Sequence, residues 1–414
     1  MAGNLRDRLR RIRNAPAPPP GGVLPSPRAE TPSLGPEWQE AGYQTLKRTE
    51  LLDLPLSLDF PLPRSLPILV PDLLRYPSEE VGPEDMVFFD LETTGLSRGA
   101  GTVAFLAAFG RLVSSGPGPL RLRLDQYLLL DYPGEGDFLA ALLPQFDPRP
   151  RPPLVITYNG KTFDSQILAS RCIVMGIRPP AYYQGDLLHP ARRLWKGILS
   201  SCSQGEIETA ILGLDRTGDV SGALAPDIWF SFLKSSDPRP LLGICDHNRR
   251  DILGLAGLFS ALVRIAGDPL AARNKFRYDT EALALRWREF PVKIRNRSFG
   301  EAAVETGRKL LAVAAEEHPR AALVFAQDLL RQGRAAEGRR RLLGIARGNY
   351  ADPFRAAAYR ALAVDAEWRR KVPGEALTLV EEALALADAG EGQRRDFLRR
   401  EERLRRQLDR KTRG

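Results

Sequence analysis

Residues 86–96 read MVFFDLETTGL, and the fold turns on them. MVFFD (86–90) is a short apolar run, the pattern of a buried strand. As the run ends, Asp90 and Glu92 alternate in strand register, so both carboxylates project from one face at the sheet edge. Two carboxylates held together repel each other unless a cation neutralises them. Hard oxygen ligands of this kind suit Mg²⁺ or Mn²⁺. The plainer reading of the same residues is a solvated loop carrying two acids.

Outward from this strand the chain alternates strand and helix, which predicts an α/β domain over 84–268. Strands are expected over 102–113 and 121–129, separated by SSGPGP, and over LVITYN (154–159). Helices are expected over 136–146, over 163–176 where Gly176 closes the run, and around HPARRLWKGI and GEIETAILGL. A long helix should run from near Pro240 to Ile265. Ahead of this domain, residues 1–36 read as a basic arm and a disordered proline-rich linker. Residues 37–83, broken by prolines at 55, 61, 63, 67, 71 and 77, read as an irregular lead-in.

Beyond Glu281 the strand signals vanish. Apolar residues recur at helical spacing in two pairs, AALVFAQDLLRQGR with AAEGRRRLLGIARG and PFRAAAYRALAVDAEWRRK with GEALTLVEEALALADAG. Helix pairs of this kind, about 40 residues apart, predict an all-α helical-repeat domain over 281–414, resembling tetratricopeptide repeats.

The acid-bearing strand end does not stand alone. YNGKTFD (158–164) repeats the arrangement: a strand, a tight Asn159-Gly160 turn, then Asp164 in the first turn of a helix. Asp251 lies on the long late helix in HNRRD, with His247 four residues earlier and on the same face. Four acids from three separated segments converge only through the fold.

These residues resemble the DEDD exonucleases of the ribonuclease H-like superfamily. DLETTGL (90–96) matches their first motif, and YNGKTFD is similar to their second, in the form found in family B polymerase proofreading domains. The resemblance implies that Asp90, Glu92, Asp164 and Asp251 hold two divalent ions, Mg²⁺ or Mn²⁺, and that His247 activates the attacking water. The third motif departs from the usual pattern, because a His here sits at the spacing normally taken by Tyr. A bacterial group described as YprB-like, which pairs a ribonuclease H-like domain with C-terminal tetratricopeptide repeats, is similar over a longer stretch. Its features stand here as DLETTGLSRGAGT, YNGKTFDSQIL, DLLHPARRLWK, LGLDR and HNRRDILGL. The likeness implies a mixed sheet flanked by helices, whose first three strands form an antiparallel meander, and an exonuclease that hydrolyses phosphodiester bonds, 3′ to 5′, on single-stranded DNA or RNA.

Contacts to nucleic acid are expected from Thr93, Thr94 and Gly95, which let the backbone approach a terminal nucleotide, and from Leu96 and Phe163, which pack against a base. Ordinary packing explains each equally well. Asn159 and Lys161 in the turn, and Arg192 and Arg193 in DLLHPARRLWK, suit a phosphate backbone, against a solvated turn and an amphipathic helix as the plainer readings. Trp195 and Trp229 are expected in the core.

At 414 residues, 43% hydrophobic and 27% charged, the chain can bury a sizeable core, and no apolar run approaches the roughly 18 to 20 residues that span a bilayer. The opening segment has arginines but no apolar stretch after them, and Cys172, Cys202 and Cys245 form no CxxC pair, so a cytoplasmic protein without disulfides or zinc is expected. The net charge of +9 is uneven: residues 281–414 hold 29 Lys or Arg and 20 Asp or Glu, and residues 1–15 five Arg against Asp7. Such a tail and arm fit a polyanionic partner, and equally a solvated arginine-rich surface. The repeats are expected to recruit a protein partner or guide nucleic acid. A non-catalytic adaptor that keeps the fold is the competing reading, and metal binding through the acidic quartet separates the two.

Overall fold

The computed structural model describes residues 34–78, 80–95, 101–114, 116, 118–293 and 300–412. Most of the expected arm and linker, and Leu96, lie outside the described residues. Seven strands form one mixed sheet: β1 (Gln39–Gly42), β2 (Thr45–Asp53), β3 (Met86–Thr93), β4 (Ala104–Val113), β5 (Arg121–Leu129), β6 (Leu154–Thr157) and β7 (Tyr183–Asp186). Their order is β1-β2-β5-β4-β3-β6-β7. The β3-β4-β5 meander is antiparallel, as the resemblance implied, and β6 and β7 add in parallel beside β3.

The lead-in expected to be irregular instead supplies β1 and β2, a hairpin at the sheet's edge. All nine residues of β2 pair with β5, from Thr45 opposite Leu129 to Asp53 opposite Arg121. The reason is positional: the prolines begin at 55, just after β2 ends, so nothing in 45–53 removes a ladder donor. The four-residue strand β7, which no sequence signal marked, closes the opposite edge.

Alternation along β3 sorts its side chains between two cores. Val87, Phe89 and Leu91 face one core, where Phe89 stacks on Phe109 with ring centroids 4.9 Å apart. That side is covered by α1 (Glu135–Leu142), α2 (Asp164–Val174) and α4 (Ala225–Ser235). Met86 and Phe88 face the other core, together with α3 (Leu188–Trp195) and α5 (Arg239–Gly267), and Phe88 meets Phe259 of α5 edge-on at 6.1 Å. Asp90 and Glu92 continue this second face, so the register aims them toward α5.

With 29 residues, α5 is about 43 Å long and reaches past the sheet. Leu241, Ile244 and Cys245 belong to the first core and Ile252 onward to the second. The polar run His247, Asn248 and Asp251 lies in between, where the helix crosses from one core to the other. After α5 come α6 (Pro269–Phe276) and an all-helical array: α7 (Thr280–Lys293), α8 (Gly300–Glu317), α9 (Pro319–Arg331), α10 (Ala335–Arg347), α11 (Asp352–Val364), α12 (Pro373–Leu384) and α13 (Glu391–Thr412). The expected pairs are α9 with α10 and α11 with α12. No helix among the described residues is long and apolar enough to cross a membrane.

Candidate functional site

Asp90 and Glu92 sit at the end of β3, where pairing with β4 shifts register between Glu92 and Thr93. A buried amide relay fixes Asp90: Gln126 Nε2 of β5 donates to Asn248 Oδ1 at 2.8 Å, and Asn248 Nδ2 donates to Asp90 Oδ2 at 2.7 Å. Asn248 and Gln126 are fully buried, so each amide has a single arrangement that satisfies it. Sequence reasoning missed both residues.

Asp164 opens α2 after a turn that only certain residues make. Asn159 has a left-handed φ of 64°, and a Cβ at Gly160 would fall 2.6 Å from Thr157 Cβ. Asp186, the last residue of β7, ties the turn down by accepting from the amides of Asn159 at 2.9 Å, Lys161 at 3.1 Å and Leu188 at 3.0 Å. Burial, then the neighbouring Asp186 carboxylate, push the Asp164 carboxyl up to about 8.

The third segment is α5. His247 Nε2 lies 3.8 Å from Glu92 Oε1 and 3.4 Å from Asp251 Oδ2. Glu92, His247 and Asp251 each place one ligand atom within 4.8 Å of the other two. Asp90 and Asp164 join through their fields: burial pushes Asp90 and Glu92 well above the carboxylate range, and the charges of Asp251 and Asp164 push both further. The repulsion on Asp90 and Glu92 is what a divalent cation would relieve, and the donors are hard oxygens with one imidazole. The residues fit such an ion.

Behind this cluster is a second layer that sequence reasoning did not assign. Arg216 lies in the LGLDR stretch and divides its guanidinium among three acids: Nε donates to Glu208 Oε2 at 2.6 Å, Nη1 to Asp219 Oδ2 at 2.6 Å, and Nη2 to Asp251 Oδ1. Burial opposes the Arg216 charge, but Asp251 and Glu208 hold its pKa above the ordinary value. Asp219 Oδ2 also lies 3.0 Å from His247 Nδ1. Burial works against the Asp219 charge too, yet hydrogen bonds from Arg216 and His247 hold its carboxyl below the usual range. An ionised Asp219 calls for a hydrogen on Nδ1, and in the neutral imidazole that tautomer turns the His247 Nε2 lone pair toward Glu92 and Asp251. Gly222 keeps that nitrogen accessible, because a Cβ there would stand 2.9 Å from it.

Of the expected nucleic-acid contacts, Thr93 is buried, with its hydroxyl donating to the Gly95 carbonyl at 2.9 Å, and the Thr94 hydroxyl accepts from Val103 N at 3.0 Å. Lys161 pairs with Asp72, and the Asn159 amide oxygen accepts from the Thr162 hydroxyl at 2.8 Å. Phe163 packs against the first core. On α3, Arg192 is exposed, whereas burial holds the Arg193 guanidinium below its ordinary pKa and its Nη1 has no hydrogen-bond partner among the described residues. Trp195 and Trp229 are fully buried and donate to the Phe276 and Leu129 carbonyls, both at 2.9 Å, as core residues.

Residues 87–263 match the family model described as the RNase H superfamily. This part of the chain is an RNase H superfamily domain. A protein of Bacillus subtilis (strain 168) with the name uncharacterized protein YprB is 36% identical over 178 residues, which are 42% of this chain and 41% of that protein. The chain therefore matches less than half the length of this relative. The RNase H-like match spans all the site residues from Asp90 to Asp251, and the helical array lies beyond it.

Proposed function

We propose that the chain is a metal-dependent nuclease, a DEDD-type 3′ to 5′ exonuclease acting on single-stranded nucleic acid. The observation that carries this reading is that Asp90, Glu92, Asp164 and Asp251, from three segments, meet at one half-buried site beside His247. In this reading the four acids hold two Mg²⁺ or Mn²⁺ ions, which supply Lewis acidity to the scissile phosphodiester and lower the pKa of the attacking water. His247 Nε2 takes the proton of that water, because Asp219 keeps the other nitrogen protonated. Arg216 holds Asp219 and Asp251 in their relative positions, and the Gln126–Asn248 relay does the same for Asp90. Thr93, Thr94 and Gly95 line the approach of the terminal nucleotide, and Arg192 offers an exposed charge to the phosphates. The helical array guides the strand or recruits a protein. Three free thiols agree with a reducing, cytoplasmic setting.

The test follows 5′-labelled and 3′-labelled single-stranded DNA and RNA with Mg²⁺ or Mn²⁺, comparing the wild type with Asp90→Asn. A metal-dependent ladder from the 3′ end, lost in the variant while its circular dichroism is unchanged, is the expected result. Equal turnover by the variant removes the mechanism.

A further inference from the structure

The chain has five tryptophans, and four of them, Trp38, Trp195, Trp229 and Trp287, are buried. Trp368 is 63% exposed. It stands on a widened turn that follows α11: Arg370 N donates to the Asp365 carbonyl at 3.0 Å and Val372 N to the Ala366 carbonyl at 2.9 Å, while Lys371 takes a left-handed φ of 59°. The wide turn buries Asp365, Ala366 and Glu367 and leaves Trp368 and Arg369 outside. Wide turns of this type are frequent at functional sites.

The charge around the ring is one-sided. Asp365 is matched by Arg339 and Arg370, and Glu367 by Arg400 and Arg403, so both buried carboxylates are neutralised. Arg403 also lies 5.8 Å from the centre of the Trp368 ring. Lys371 and Arg399 are exposed and form no ion pair among the described residues, whereas Arg369 donates to the Leu330 carbonyl at 3.1 Å and lies 3.9 Å from Asp365. Arg399 is one helical turn before Arg403 on α13 and shares its face. An exposed indole beside Arg403, with the exposed cations Lys371 three residues on and Arg399 one turn before Arg403, suits a ligand with both a π-face and a negative backbone. An apolar protein surface would have to desolvate those cations without pairing them.

We propose that Trp368 is a stacking platform for a base of single-stranded nucleic acid, with Lys371 and Arg399 holding the adjoining phosphates. The inference deepens the proposed function, since it gives the helical array the same substrate, but it does not depend on cleavage.

The experiment uses the full chain in EDTA, so that no strand is cut, and titrates dT and U oligomers of about 12 nucleotides. Because Trp368 is the exposed tryptophan, stacking is expected to quench the intrinsic fluorescence, and Trp368→Phe to bind with that quenching removed. By anisotropy of labelled oligomers, Trp368→Ala is expected to bind about tenfold more weakly. Replacing Lys371 and Arg399 by Gln should lower the salt slope of binding by about 1.4. Binding by Trp368→Ala as tight as wild type, or absence of quenching by both oligomers, overturns the platform and leaves the ring to a protein partner. The cleavage reading fails separately: if the wild type cuts neither oligomer with Mg²⁺ or Mn²⁺ yet is still quenched by them in EDTA, the nuclease reading falls and the platform stands.

Discussion

Asp164 is the residue where the chemistry of the site becomes measurable without a substrate. Its carboxyl titrates near 8 in the folded chain, raised by burial and by Asp186, against about 3.9 when unfolded. Between those values the native state keeps a proton that the unfolded chain has released, so stability falls as pH rises through the window and levels off above it. A divalent ion competes with that same proton, so its stabilising effect grows as pH rises toward 8 to 9. Unfolding in urea at pH 6 to 9, with EDTA or with Mn²⁺, should show the two curves diverging. Asp164→Asn should flatten the EDTA curve by up to about 1.4 kcal/mol per pH unit. Equal slopes for the variant and the wild type would show that burial and Asp186 do not raise the Asp164 carboxyl.

At the scale of elements, α5 is the part that turns a fold into a site, and Gly254 shows how closely it is fitted. A Cβ at this position would lie 1.7 Å from Glu208 Oε1, whose carboxylate is fully buried and held by Gln204 at 2.7 Å and by Arg216. Gly→Ala within a helix ordinarily gains about 1 kcal/mol. Here the carboxylate has nowhere to go, so Gly254→Ala should instead destabilise by about 1–3 kcal/mol in urea unfolding. A more stable variant would show that Glu208 yields freely. The same element marks what a sequence can and cannot disclose. DLETTGL was legible because alternation along a strand and the repulsion of adjacent acids are local facts, and His247 with Asp251 because four residues make one helical turn. Asn248, Arg216 and Asp219 were not, since their roles lie in partners brought from β3, from Glu208 and from α5. The β1–β2 hairpin escaped for another reason: TLKRTELLD at the sheet's edge lacks a clean apolar alternation.

Across the whole molecule, one apolar core runs without a break from Phe88 under the sheet, through Trp195, Phe276 and Trp287, to Leu404 in α13. Polar ties follow the same route. Trp195 Nε1 donates to the Phe276 carbonyl at 2.9 Å, Asp279 N to the Leu194 carbonyl at 2.8 Å, and Arg286 Nε to the Ile68 carbonyl at 3.1 Å. The RNase H-like part and the helical array therefore share buried surface, and separating them would expose Trp195, which is now fully enclosed. Shared burial makes the unfolding of one part costly to the other, so the two are expected to melt as a single unit. Circular dichroism at 222 nm is dominated by the helices, whereas near-ultraviolet ellipticity reports the packed aromatic side chains of both parts, Trp38 and Trp229 beside the sheet and Trp287 in the array among them, and the two should trace one transition. Trp195→Ala removes the side chain at the junction, at a cost of about 3–5 kcal/mol. Both signals should move together to lower denaturant in this variant. Two separate transitions in the wild type, or a shift in one of the two signals alone, would mean that the core is continuous in space but not in cooperativity.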